Sequence, residues 1–142
     1  MSVTKGSYTT YSLKLSGQLE KRLRDFSKLE GRSLREQLQY MLEAVLIAAT
    51  QEQDFRLKGE SKEPGDTLEG YVKVSLRTEV YDTLFHKAGE YGMKVTSLTR
   101  VALWMALELH EKLVPQSHLI SKEAFARLIV KDMRSRKPYT VH

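Results

Sequence analysis

Between residues 9 and 23 the chain reads TTYSLKLSGQLEKRL, and its pattern changes period once. Tyr11, Leu13 and Leu15 alternate with Thr10, Ser12 and Lys14, which predicts a strand that is apolar on one face only. From Ser16 onward the apolar positions take helical spacing: Leu19, Leu23, Phe26, then Leu29 or Glu30. Ser16 is the candidate N-cap and Gly31 the candidate left-handed terminator. A second helix follows in RSLREQLQYMLEAVLIAAT, opened by a Ser33/Glu36 capping box. Leu34, Leu38, Met41 and Val45 form its inner stripe, widened by Leu42, Leu46 and Ala49.

The stretch 51–69 breaks this regularity with Gly59, Pro64 and Gly65 and reads as an acidic linker, with Phe55 and Leu57 as its only surface-packing candidates. Then the pattern restarts. Val72, Val74 and Leu76 alternate with Tyr71, Lys73 and Ser75. A helix with Val80, Leu84, Ala88 and Tyr91 on one side runs to Gly92, and a more apolar helix carries Val95, Leu98, Ala102, Met105 and Leu109 up to Pro115. The two halves superpose at a constant offset of 61: Leu13 falls on Val74, Leu23 on Leu84, Gly31 on Gly92 and Leu42 on Leu103. An internal repeat of one supersecondary unit is the most informative feature of the chain. The sequence therefore divides into a first unit at 9–50, the linker at 51–69, a second unit at 70–114, and a C-terminal helix with a basic tail at 117–142.

One amphipathic strand buries nothing alone, so the two strands are expected to pair. Strand 10–15 lying antiparallel to strand 71–76 makes one ribbon over four helices, in a mostly α fold completed by a C-terminal helix near 122–135. The 19-residue linker reaches roughly 60 Å when extended, ample for that return. Pairing within one chain gives a monomer that can sit beside a second copy through its helices; pairing between chains gives an interlocked dimer. The outer ribbon face then carries Thr10, Ser12, Lys14, Tyr71, Lys73 and Ser75. A two-stranded ribbon fits the DNA major groove, where lysines donate to guanine and small hydroxyls suit several bases. The alternative is an ordinary solvated face.

Charge changes the picture modestly. The formal charge is +5, with net +3 over residues 1–50, −3 over 51–69, +1 over 70–116 and +4 over 117–142. Basic ends around an acidic connector suit a polyanionic partner. Absence of cysteine excludes disulfides and thiolate metal sites, and His86, His110, His118 and His142 lack ligand-like spacing. No metal, cofactor or enzymatic activity is expected: there is no nucleophile–base arrangement, paired-carboxylate pocket or phosphate loop. The chain has no run of 18 apolar residues and no apolar core near its N-terminus, so no membrane span or signal peptide is expected, and a cytoplasmic or nucleoid location is.

YSLKLSGQLEKRLRDFSKLEGRSLREQLQYML and VKVSLRTEVYDTLFHKAGEYGMKVTSLTRVAL each resemble the ribbon–helix–helix family of DNA-binding proteins, the Arc- and MetJ-like repressors. The resemblance covers the two units but not the linker or tail. It implies sequence-specific binding of double-stranded DNA, with Thr10, Ser12 and Lys14 of one unit and Tyr71, Lys73 and Ser75 of the other against the bases. It also implies phosphate contacts at the start of each second helix, at Arg32 and Ser33 and at Met93 and Lys94. Two units in one polypeptide resemble accessory proteins of plasmid conjugation; single-unit relatives include transcriptional repressors, and antitoxins in which a trailing segment, here 117–142, binds a partner protein. Met93 and Tyr71 depart from the pattern, and the two reading edges differ, so the target need not be palindromic. Arg32 has an alternative in pairing with Glu36, Trp104 lies either in the core or at a seam with another chain, and Lys131, Arg134, Arg136 and Lys137 form a basic cluster suited to phosphate or to solubility.

Overall fold

A computed structural model describes residues 7–51, 68–113 and 120–135. The linker residues Phe55, Leu57 and Asp66, His118, His142, and the tail cations Arg136 and Lys137 lie outside these. Strand β1 (Tyr8–Ser16) leads into α1 (Gly17–Glu30) and α2 (Leu34–Gln51); β2 (Leu68–Arg77) leads into α3 (Thr78–Glu90) and α4 (Val95–Leu113); α5 (Lys122–Ser135) follows. The described residues are mostly helical around one two-stranded antiparallel sheet, a topology of the ribbon–helix–helix kind. Both strands extend beyond the expected 10–15 and 71–76.

The strands pair within the chain in a register that sets Thr10 opposite Ser75, Ser12 opposite Lys73 and Lys14 opposite Tyr71. Ser12 and Lys73 are themselves related by the offset of 61. The ribbon's approximate twofold therefore passes through that central pair. A register shift at Leu15/Ser16 ends the regular ladder where α1 begins. Leu13, Leu15, Val72, Val74 and Leu76 are buried beneath the ribbon, and Tyr11 packs beside them. Its phenol bonds the Thr99 hydroxyl at 2.9 Å, and burial is what raises its pKa to about 12.

The offset recurs in the backbone. Gly31 and Gly92 adopt φ of 72° and 69°. Past each glycine the chain turns back identically: the Arg32 N–H donates to the Ser27 carbonyl and the Met93 N–H to the Ala88 carbonyl, both at 2.9 Å. These are Schellman-type closures, and the left-handed residue they need is why glycine stands at both positions. Ser16 caps α1 through a 3.1 Å bond from the Leu19 N–H, as its sequence position implies. Of the alternatives Leu29 and Glu30, it is Glu30 that turns inward; Leu29 is 71% exposed.

Helix α5 breaks the symmetry. It packs chiefly on α2, with a smaller contact to α4. At the repeat positions where α2 has the buried Ala44 and Ala48, α4 has the larger Met105 and Leu109. Phe125, Ala126, Ile129 and Val130 of α5 are buried, and Phe125 stacks on Tyr40 of α2 at 5.8 Å. Trp104 is 7% exposed and belongs to the core, covered by Arg22, whose guanidinium lies 5.1 Å from the ring centroid.

Candidate nucleic-acid interface

The outer ribbon face is built in three levels. At its centre Ser12 and Lys73 are both exposed, and their side chains have no bonding partner among the described residues. At one end Lys14 lies over the Tyr71 ring, its Nζ 5.6 Å from the centroid, and Tyr71 is 66% exposed. At the other end the Thr10 hydroxyl donates to the Ser75 hydroxyl at 3.1 Å. Alternation along the strands puts all these side chains opposite the core. Lys14 and Lys73 make no ion pair with a carboxylate among the described residues, so the face keeps its positive charge.

Ser75 differs from the expectation of an exposed hydroxyl. It is 4% exposed, because Arg35 at the start of α2 reaches across it, its Nη2 3.3 Å from the Ser75 Oγ. One turn further along α2, the Gln39 Nε2 donates to the Ser75 carbonyl at 2.6 Å. The repeat-related bond runs from Arg100 Nη1 to the Lys14 carbonyl at 3.1 Å. Each half's second helix thus grips the other half's strand edge, which fixes the ribbon over the helices. Arg35 carries no local sequence signal for this position; only the cross-half packing reveals it.

The four positions expected to contact phosphate, at the starts of the second helices, have different surroundings. Arg32 is turned inward: its Nη1 bonds Glu30 Oε1 at 2.9 Å and Gln37 Oε1 at 3.1 Å, and its guanidinium stacks 3.9 Å from the centroid of Tyr40. The Arg32–Glu36 pair does not form, because Glu36 instead accepts the Ser33 N–H at 3.0 Å. Ser33 in turn accepts the Glu36 N–H at 3.1 Å, completing the capping box. The Ser33 backbone, and then its hydroxyl, hold the Glu36 carboxyl below the usual carboxylate range. The anion-favouring start of α2 is therefore already occupied by a carboxylate of the chain itself. Met93 packs against the core and offers no polar group. Lys94 is exposed at the start of α4, where no acidic residue occupies the first turn. Of the four expected phosphate positions, Lys94 is the one whose cation has no partner among the described residues.

Beneath α5 lies a polar cluster that sequence reading did not find. His110 is fully buried between Phe26, Tyr40 and Phe125, with ring centroids 4.9, 5.8 and 4.8 Å away. Neither ring nitrogen has a hydrogen-bond partner among the described residues, and Nε2 stands 3.8 Å from Glu30 Oε1. Burial, then the Arg32 charge, lower its pKa to about 4. The signal was periodic: His110 follows Ala106 and Leu107 on the buried stripe of α4.

Among the described residues no group of histidine or acidic side chains is arranged to hold a metal, and no helix is long and apolar enough to cross a membrane. No family model matches this chain, and neither a curated protein nor a solved structure matches it.

Proposed function

We propose that the protein binds double-stranded DNA sequence-specifically by laying its ribbon in the major groove. The observation that carries this reading is the outer face itself: two lysines without carboxylate partners, an exposed tyrosine and small hydroxyls on a two-stranded ribbon braced from behind by helices. Such a ribbon has the dimensions to enter the major groove, and its side chains are donors suited to guanine and to mixed base edges. In this reading Thr10, Ser12, Lys14, Tyr71 and Lys73 address bases, and Lys94 addresses a phosphate at the start of α4. Residues 9–50 and 70–114 then act as two ribbon–helix–helix units in tandem, completing one reading unit per chain, and copies sit side by side on adjacent sites.

The biological role that fits two units in one polypeptide is an accessory protein of plasmid DNA transfer, acting in the cytoplasm at its site on the plasmid; transcriptional repression is the alternative. The antitoxin reading has less support. It needs a trailing segment free for a partner, whereas α5 places its apolar residues in the chain's own core.

Selection from random duplex DNA tests this. The wild-type protein enriches a defined sequence, and Lys14→Ala and Lys73→Ala each relax preference at a different part of it, by about 1–3 kcal/mol of discrimination. Unchanged selectivity in both variants would remove the ribbon as the reading element. Lys94→Ala weakens binding to all sequences about equally and lowers the salt dependence by about one phosphate contact.

A further inference from the structure

The Thr10–Ser75 end of the ribbon holds a cation that does not come from a strand. Ser75 is covered, and what the face presents at its position is the guanidinium of Arg35. We propose that Arg35 is a base-reading residue supplied by α2, recognising a guanine at this end of the site and giving the chain one preferred orientation on a non-palindromic duplex.

The placement is built rather than incidental. Gln39, on the same side of α2 one turn away, is tied to the Ser75 carbonyl at 2.6 Å, which holds the start of the helix against the β2 edge. The Ser75 hydroxyl itself accepts from both Thr10 and Arg35, so it orients the guanidinium toward the outer face. A guanidinium has five N–H donors in a planar fork. One bond to Ser75 leaves enough for the paired contact to guanine O6 and N7 that arginine makes in the major groove. Among the described residues the charge is also uncommitted: Arg22, Arg24, Arg32 and Arg77 each sit within ion-pair distance of a carboxylate, whereas the exposed Arg35 bonds only the serine hydroxyl.

The repeat does not duplicate the arrangement. The position related to Arg35 is Thr96, and the one related to Ser75 is Lys14. One end therefore offers a planar fork from a helix, and the other a compact ammonium lying over Tyr71. These two chemistries are not interchangeable at a bidentate contact. A duplex turned end for end meets the wrong donor at each end, which is what gives the complex its direction.

The inference rests on the ribbon-reading function, and the test separates the two. Wild type, Arg35→Lys and Arg35→Ala are carried through selection from random duplexes, then titrated on the selected site and on single-base variants across a salt series. Circular dichroism checks that the exposed substitutions leave the fold intact. The expected result is loss of one guanine preference in both variants, by roughly tenfold or more at that base pair, with preference at the Lys14 end retained. Arg35→Lys keeps the charge, so it also keeps the salt slope. Uniform weakening across all sequences in Arg35→Ala, with the guanine preference intact in Arg35→Lys, makes Arg35 a phosphate contact and overturns the proposal. So does wild-type selectivity in both variants. A wild-type protein that enriches no sequence overturns this inference together with the ribbon-reading function.

Discussion

The two halves of the chain share a backbone and an apolar pattern and differ in much of the polar chemistry placed on them. At an offset of 61 the elements begin and end within a residue of each other, and both turn closures use the same pair of carbonyls. Yet at the first-half turn stands a buried network of Glu30, Arg32 and Gln37, and at the second-half turn stand Tyr91 and Met93. Gln39 and Arg100 make the same cross-half bond with different chemistry. The difference teaches which constraints are geometric. A strand edge needs a donor and a turn needs a left-handed residue, so these recur. What fills the space behind them is free to diverge, and α5 packs chiefly on the first half's second helix.

The turn network is where that comparison breaks most expensively. The Glu30 carboxylate is buried, and the stacked Arg32 guanidinium is its strong partner. Arg32→Met, which installs the second half's residue, strands a buried carboxylate and should cost about 3–5 kcal/mol in urea denaturation. Replacing both members by their counterparts, Glu30→Tyr with Arg32→Met, removes the charge together with its partner. The double variant should be more stable than the single one, because a buried pair swapped for apolar groups is often close to neutral. A double variant as unstable as the single would mean that the first-half turn requires its charges for packing.

A second asymmetry is titratable. His110 corresponds to Ala49 in the first half, so only one half carries a buried imidazole. Around it stand the Glu30 carboxylate, the Arg32 guanidinium and the Tyr40 phenol. Its pKa is depressed from 6.5 to about 4, mainly by burial. Between those values the unfolded chain binds more protons than the folded one. The contribution to stability is therefore fully present above about pH 6.5 and is lost as the pH falls toward 4, roughly 3 kcal/mol over the interval. Denaturation midpoints measured across that range should fall in the wild type, and this component of the fall should vanish in His110→Leu. An identical acid dependence in the variant would assign the effect to carboxylates instead.

These particulars also show what the sequence makes legible. Alternation and helical spacing predict the strands and helices, because each depends on neighbours a few residues away, and the constant offset predicts that the two strands pair into one ribbon, while leaving open whether they pair within one chain. Ser16, Gly31 and the Ser33/Glu36 box are legible for the same reason. Arg32, Ser75 and His110 are of another kind. A cation beside a helix start reads as a phosphate contact, whereas in the structure Arg32 bonds Glu30 and Gln37 and stacks on Tyr40. Ser75 is covered by a residue forty positions earlier in the chain. His110 has the periodicity of a core residue, and only its ionisable ring argues for the surface. These placements depend on how side chains pack in three dimensions, which spacing along the chain does not encode: Ser75 and His110 meet partners far away in the chain, and Arg32 turns to Glu30, Gln37 and Tyr40.

The smallest test of the comparison concerns the first turns of α1 and α3. Ser16 and Arg77 occupy the same repeat position with nearly the same extended backbone, φ −69° and ψ 155° against φ −55° and ψ 142°. Ser16 caps its helix; Arg77 does not, and its contact with Glu79 at 3.4 Å is between exposed groups. Such an ion pair is worth little, so exchanging it for a cap is favourable on balance. Ser16→Ala should lower stability by about 1 kcal/mol, and Arg77→Ser should raise it by about 0.5–1 kcal/mol. The gain has a structural basis, because a serine there places its hydroxyl toward the Val80 N–H, the counterpart of the Leu19 N–H that Ser16 accepts. Equal and opposite shifts in thermal midpoint would make the two helix starts interchangeable frames. A loss in Arg77→Ser would mean that the arginine supports the second half in a way the first half has no need of.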